Sequence, residues 1–366
     1  MSEDLSAFAE SYAEARAKFL DAARASGASL RHYRQADASG PAGEALYLDV
    51  AWLGAPQASR VLLAGCGTHG IEGFAGSAAQ THWMRSGGAA RIAAATAVVF
   101  FHAHNPWGFA HKTRTTEENV DLNRNFVDFS RPLRANPGYE ELHPLITPPR
   151  WDEAAVAATF RALDEFRARV GEQSFSDAFN GGQYSHPDGI YFGGSRPQWA
   201  NRAFRQAVAE HLSAVRQVAL IDLHTGIGPR YEHVYLCFHA AGSAGYARAR
   251  AWWGERAVNR AAVTHKALAV YSGTLIDAFA AMVPQAEITA VVIEFGTLPR
   301  EGIQRAAMAQ RWLRFHGSRE PERAREVQRE YEHAYYPAEA RWRACVLEQS
   351  LEFFDCGLKG IGAAWN

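Results

Sequence analysis

A set of short apolar runs constrains this chain more than any other feature. RVLLAG (60–65), ATAVVFF (95–101), VALIDL (218–223), HVYLCF (233–238) and ITAVVIEF (288–295) are rich in β-branched and aromatic residues. Their length is that of central strands buried on both faces. Between them lie segments with apolar residues at helical spacing, near 73–86, 152–170, 199–214, 243–260 and 300–316. Strands and helices in alternation predict an α/β fold, a mostly parallel central sheet covered by helices on both sides. ALYLDVAWLG (45–54) adds a strand with one wetter face, KALAVYS (266–272) a weaker one, and MSEDLSAFAESYAEARAKFL an amphipathic N-terminal helix. The C-terminal stretch from Pro321 reads as long helices broken or kinked near Pro337. No repeat, low-complexity tract or linker interrupts the pattern, so residues 1–366 are read as a single domain.

Two segments, 104–150 and 180–198, depart from the alternation and are expected to be long ordered loops, which in compact domains are usually functional. Charge does not point to a polyanion. Lys plus Arg number 38 against 39 Asp plus Glu, so neither nucleic acid nor an anionic membrane surface is indicated as partner. The acidic N-terminus has no signal-peptide layout, no run is long enough to span a membrane, and a cytoplasmic protein is expected. Cys66, Cys237, Cys345 and Cys356 lack C-x-x-C spacing and are expected to be reduced.

The stretch VLLAGCGTHGIEGFAGS contains G-x-G-x-x-G at Gly65, Gly67 and Gly70, the pattern of a dinucleotide loop. That reading needs a carboxylate at the end of the next strand, where this chain has FFHAHN instead, and Glu72 would repel a pyrophosphate. A metal site fits better. His69 at a strand end and Glu72 three residues later can converge on one ion, and His224, following the strand VALIDL, is the best third ligand. Asp222, two residues before His224, points to the same side of the strand and can orient the site. Glu294 stands in an otherwise apolar strand, where burial would raise its pKa toward that of a general base; a salt bridge to an arginine is the structural alternative. His102 and His104 form an H-x-H at a strand end, as in amidohydrolase barrels, but too few strand–helix units follow for that fold.

GTHGIEG, NPWGF, DLNRNF, DLH and IEFGT together resemble, in order, the motifs of the zinc carboxypeptidase superfamily. That superfamily includes carboxypeptidase A-like peptidases and the succinylglutamate desuccinylase/aspartoacylase deacylases. The phrases THGIEGFAGS, GQYSHPDG and YSGTLIDAF are similar to a bacterial subgroup of uncharacterised function within it. The resemblance implies a carboxypeptidase-like three-layer fold with zinc (Zn2+) bound by His69, Glu72 and His224. Glu294 would move the protons, and Asn123 and Arg124 would grip a substrate carboxylate. Arg114 falls where relatives polarise the scissile carbonyl, with a solvated arginine as the alternative. Where the peptidases carry a tyrosine that closes over bound peptide, this chain has Phe279 and Ala280; Tyr271 is a candidate substitute. The GGQY segment, ending at Tyr184, either contacts substrate or is a glycine turn.

The expected function is therefore zinc-dependent hydrolysis of an amide in a small or short-peptide substrate with a free carboxylate. Carboxypeptidase and N-acyl amino acid deacylase both remain open, and ligand type alone also admits cobalt or manganese. A non-catalytic binding protein that keeps the fold is the rival reading.

Overall fold

The computed structural model describes residues 4–254, 257–259 and 269–363. Among the described residues eight strands are formed: β1 (Ser29–Ser39), β2 (Ala45–Gly54), β3 (Arg60–Cys66), β4 (Thr96–His102), β5 (Gln217–Gly226), β6 (His233–Cys237), β7 (Ala257–Asn259) and β8 (Glu287–Gly296). They make one sheet in the order β1-β2-β4-β3-β5-β8-β6-β7. The central four, β4, β3, β5 and β8, run parallel, while β1, β2 and β6 pair antiparallel at the flanks. The mixed, centrally parallel α/β sheet expected from the apolar runs is what the chain forms.

Alternation along the central strands sends their side chains into two cores. Leu62, Ala64, Ile221, Leu223 and Ile293 face the helices Tyr12–Ala25, Gly73–Arg85 and Ala340–Gly362. Val61, Leu63, Val218, Leu220 and Val292 face the helices Trp199–Leu212 and Leu275–Met282. Full burial of a Leu, Ile or Val is worth about 1.5–3 kcal/mol, so these two faces bind both helical layers to the sheet. A third, smaller core lies apart from the sheet: Tyr139, Leu142, Leu163, Phe175 and Phe179 pack against Met308 and Trp312 of the helix Arg300–Phe315.

Three expectations need correcting. The helix predicted over 243–260 is shorter, Ala244–Trp253, because Gly254 at φ +78° ends it and residues 257–259 pair as a strand. The segment 104–150 is not structureless: it holds the helices Pro106–Ala110 and Pro137–Ile146. Asn105 and Asn136 cap them through their side chains, each with Pro in the next position, where its missing N–H costs nothing. Strand β1 was not foreseen. Of the weak strand at 266–272, residues 266–268 lie outside the described residues and 269–272 are irregular. The break at Pro337 falls between the helices Pro321–Tyr335 and Ala340–Gly362, as expected. No helix among the described residues is long and apolar enough to cross a membrane. The cysteines form no disulfide.

Candidate metal centre

The carboxyl ends of three adjacent parallel strands meet at one place, where open α/β sheets collect their ligands. His69 follows β3, and Glu72 directly precedes the helix Gly73–Arg85. His224 lies in β5, and the register of β5 with β8 sets Glu294 opposite it. The tight turn that carries His69 past the strand depends on Gly70, since a Cβ there would sit 1.9 Å from the Gly108 carbonyl carbon.

His69 Nδ1 lies 3.0 Å from Glu72 Oε1, His224 Nδ1 lies 2.9 Å from Glu72 Oε2, and the two Nδ1 atoms are 3.1 Å apart. All three side chains are buried. Ligands about 2.0–2.1 Å from a tetrahedral ion stand roughly 3.3 Å from one another, so a shift of a few tenths of an ångström would seat one. The donor set itself calls for a cation. A carboxylate can only accept, so Asp222 Oδ2, 2.8 Å from His224 Nε2, must take its proton and leaves Nδ1 as the nitrogen facing Glu72. Burial would lower the pKa of His224, but Asp222 and Glu72 prevail and raise it well above the usual histidine range. Glu72 is held low, against its own burial, by His69 and His224. The residues therefore fit a bound divalent ion by position, by ligand type and by charge.

Besides Asp222, two further buried carboxylates lie around this set. Asp121 Oδ1 is 3.2 Å from His69 Nε2 and accepts the Asn123 N–H at 2.9 Å. Its Oδ2 receives Arg114 Nε at 3.0 Å, and Arg114 outweighs the effect of burial to hold Asp121 well below the usual carboxylate range. Arg114 also donates to Glu72 Oε1 at 3.1 Å, and its Nη2 lies 2.7 Å from His69 Nε2. Glu294 is buried with Oε2 accepting the Ile227 N–H at 3.3 Å. Burial pushes its carboxyl up to about 8, with His224 opposing and Glu72 reinforcing. Among the described residues no arginine forms a salt bridge with it.

His69, Glu72, Arg114, Arg124, Tyr271 and Glu294 share one cavity of about 440 Å3. Arg124 is buried, and its terminal nitrogens donate to two carbonyl oxygens, those of Asn123 and Asn180, at 2.8 Å each rather than to a carboxylate. Its guanidinium lies over the ring of Tyr271, 4.5 Å from the centroid. Asn123 and Tyr184 do not line the cavity. Asn123 Oδ1 accepts the Leu275 N–H at 2.8 Å, and the Tyr184 hydroxyl donates to the Arg124 carbonyl at 2.7 Å, so both brace the segment that carries Arg124. Phe279 is packed in the core. Sequence reasoning missed Tyr191 and Tyr335, which line the cavity from the 180–198 segment and from the helix Pro321–Tyr335; neither carries a motif. It also gave Asp121 no role, although Asp121 opens the quoted DLNRNF.

His102 and His104 do not share a site. His102 stacks on Phe19 and bonds Ser77, whereas His104 bonds Thr68, and burial pushes each down to about 4. A second group with ligand-like spacing, His143, His186 and Asp188, is a poorer fit. Its imidazoles stack face to face at 3.8 Å, so their lone pairs do not converge, and Arg311 already pairs with Asp188.

An α/β protein with a buried His-Glu-His set able to hold a metal ion at the ends of its central strands is the class these observations define. The chain belongs to the family described as "Protein of unknown function (DUF2817)", whose pattern it matches over residues 8–349. No curated protein matches it in sequence. Among solved structures it is similar to carboxypeptidase A from Helicoverpa armigera, at 15% identity and a TM-score of 0.44, with 89% of this chain and 74% of that one covered. It is also similar to the murein-tripeptide amidase of Escherichia coli O157, at 16% identity and TM-score 0.36, covering 79% and 91%. A succinylglutamate desuccinylase from Silicibacter sp. TM1040 is similar at 12% identity and TM-score 0.36, covering 78% and 67%.

Proposed function

We propose that this protein is a zinc-dependent hydrolase that cleaves an amide bond, peptide or N-acyl amino acid, in a small substrate bearing a free carboxylate. One observation carries the reading: a single cavity is lined by His69 and Glu72 of the convergent His-Glu-His set, by a carboxyl whose pKa burial has raised, and by an arginine whose terminal nitrogens meet carbonyls rather than a carboxylate. His69, Glu72 and His224 would hold the ion. Zinc bound there would supply Lewis acidity, polarising a carbonyl and acidifying water.

The chain's own groups account for the rest. Glu294 takes the proton of the attacking water and delivers it to the leaving nitrogen, a task that suits a carboxyl poised near neutral pH. Arg124 binds the substrate carboxylate through charge-assisted hydrogen bonds and so fixes which amide reaches Glu294. Arg114, already held by Asp121 and Glu72, presents a fixed positive charge toward the oxygen on which negative charge develops. Asn123 and Tyr184 hold the Arg124 segment in place. We also propose that the chain folds as one unit, because the C-terminal helix returns to the sheet, where Arg60 Nη1 donates to the Gly362 carbonyl at 3.0 Å.

The experiment is metal analysis of the purified protein, then a hydrolysis screen of N-acyl amino acids and blocked dipeptides with free and amidated carboxyl ends. About one zinc per chain and chelator-sensitive cleavage of the free acids support the proposal. A protein that takes up no metal on reconstitution leaves the binding-protein reading in its place.

A further inference from the structure

The metal-ligand nitrogen of His224 is selected by Asp222, and Asp222 is itself held. Its Oδ1 receives the Thr68 hydroxyl at 2.9 Å while its Oδ2 faces His224 Nε2 at 2.8 Å. Thr68 Oγ1 also lies 2.8 Å from His104 Nδ1. Thr68, His104, Asp222 and His224 are all buried.

The direction of every proton in this chain follows from the end group. A carboxylate only accepts, so the single Thr68 hydroxyl hydrogen must point at Asp222. Thr68 Oγ1 can then only accept from His104, which places that ring's hydrogen on Nδ1. His104 Nε2 finds no partner among the described residues, and the rings of Phe101 and Phe204 stand edge-on to this imidazole. Its seat exists because residue 65 is glycine: a Cβ there would lie 2.2 Å from His104 Cε1. One glycine of the G-x-G-x-x-G frame thus makes room for an imidazole.

We propose that Thr68 and His104 are positioning residues, a relay that fixes Asp222 and through it presents Nδ1 of His224 to the metal. The proposal rests on the metal-centre reading above. It gives His104, left without a task by the sequence pattern, a role three hydrogen bonds from the ion. Groups that orient a histidine ligand in this way change metal affinity by about 10–100-fold when removed.

The test measures zinc affinity by competition with a chromophoric chelator and records the visible spectrum of the cobalt(II)-substituted protein. The variants are Thr68→Val, which keeps shape and removes both hydrogen bonds, His104→Leu, and His104→Asn, whose amide can still donate to Thr68. Thr68→Val and His104→Leu are expected to weaken zinc binding about 10–100-fold and to shift the cobalt spectrum, with His104→Asn close to the parent. Metal-free melting temperatures identify any variant that has merely lost its fold. Parent-like zinc affinity and an unchanged cobalt spectrum in folded Thr68→Val overturn the relay. A parent that binds neither metal overturns the metal centre and the relay together. Failure to hydrolyse any amide bears on the proposed reaction alone, since none of these measurements needs turnover.

Discussion

Replacing Glu294 by glutamine should stabilise the metal-free protein while abolishing its turnover. The carboxyl titrates near 8 in the fold against 4.5 for its ordinary value, chiefly because it is buried. Between those two values the folded chain holds a proton that the unfolded chain has released, so stability falls as pH rises from 4.5 to 8. At 1.36 kcal/mol per unit, the buried carboxyl costs about 3 kcal/mol at pH 7 and almost nothing at pH 4.5. Glutamine cannot ionise, and its side-chain oxygen can still accept the Ile227 N–H. In chelator-treated samples, urea titrations should show Glu294→Gln more stable than the parent by about 3 kcal/mol at pH 7, the gap closing as pH is lowered to 4.5. With zinc restored, the variant should retain the ion and lose about 100- to 10,000-fold in kcat, the usual worth of a general base. A gap that does not change with pH would show that burial does not raise this carboxyl, and an active variant would remove Glu294 from the mechanism.

Four further outcomes are expected. Zinc uptake should release protons, because the pKa of His224 is raised well above its usual range; calorimetry in buffers of different ionisation enthalpy should show affinity rising with pH, and proton-free binding would contradict the ligand assignment. Arg124→Ala should lose about 10–100-fold in kcat/KM on free-acid substrates, one charged hydrogen-bonding interaction, and little on amidated ones. Equal cleavage of free and amidated substrates by the parent would end the anchoring role of Arg124. Gly70→Ala should fail to bind zinc or to fold, since the added Cβ meets Gly108 backbone at 1.9 Å; a stable, zinc-replete variant would show that the turn can shift. Unfolding of the metal-free chain should be one transition by fluorescence and by circular dichroism, and two separated transitions would divide the proposed single unit.

The central strands were legible because both of their faces are buried, which leaves a continuous apolar run. Glu294 stood out for the same reason, as one carboxylate inside such a run. Strand β1 was not legible: SLRHYRQADAS lies at the sheet edge, mostly exposed, and selection for burial leaves almost no pattern on it. The short helices after Asn105 and Asn136 had a readable signal, an Asn cap followed by Pro, which their location in a proline-rich segment masked. His69, Glu72 and His224 were found by spacing and strand position. The residues that contact them or lie behind them were harder, because Asp121, Thr68 and His104 join the site through contacts between residues 36 to 154 positions apart, and spacing along a chain carries no trace of such pairs.

The third core has a bearing on how proteins of this kind diversify. Ser176, Asn180 and Tyr191 reach the cavity from the segment that builds this satellite core, whereas His69, Glu72, His224 and Glu294 hang from the sheet. Under the proposed function, the reacting groups and this wall of the cavity therefore rest on separate foundations. Mutations that reshape the satellite are expected to change which molecules enter while the strands beneath the His-Glu-His set keep their register.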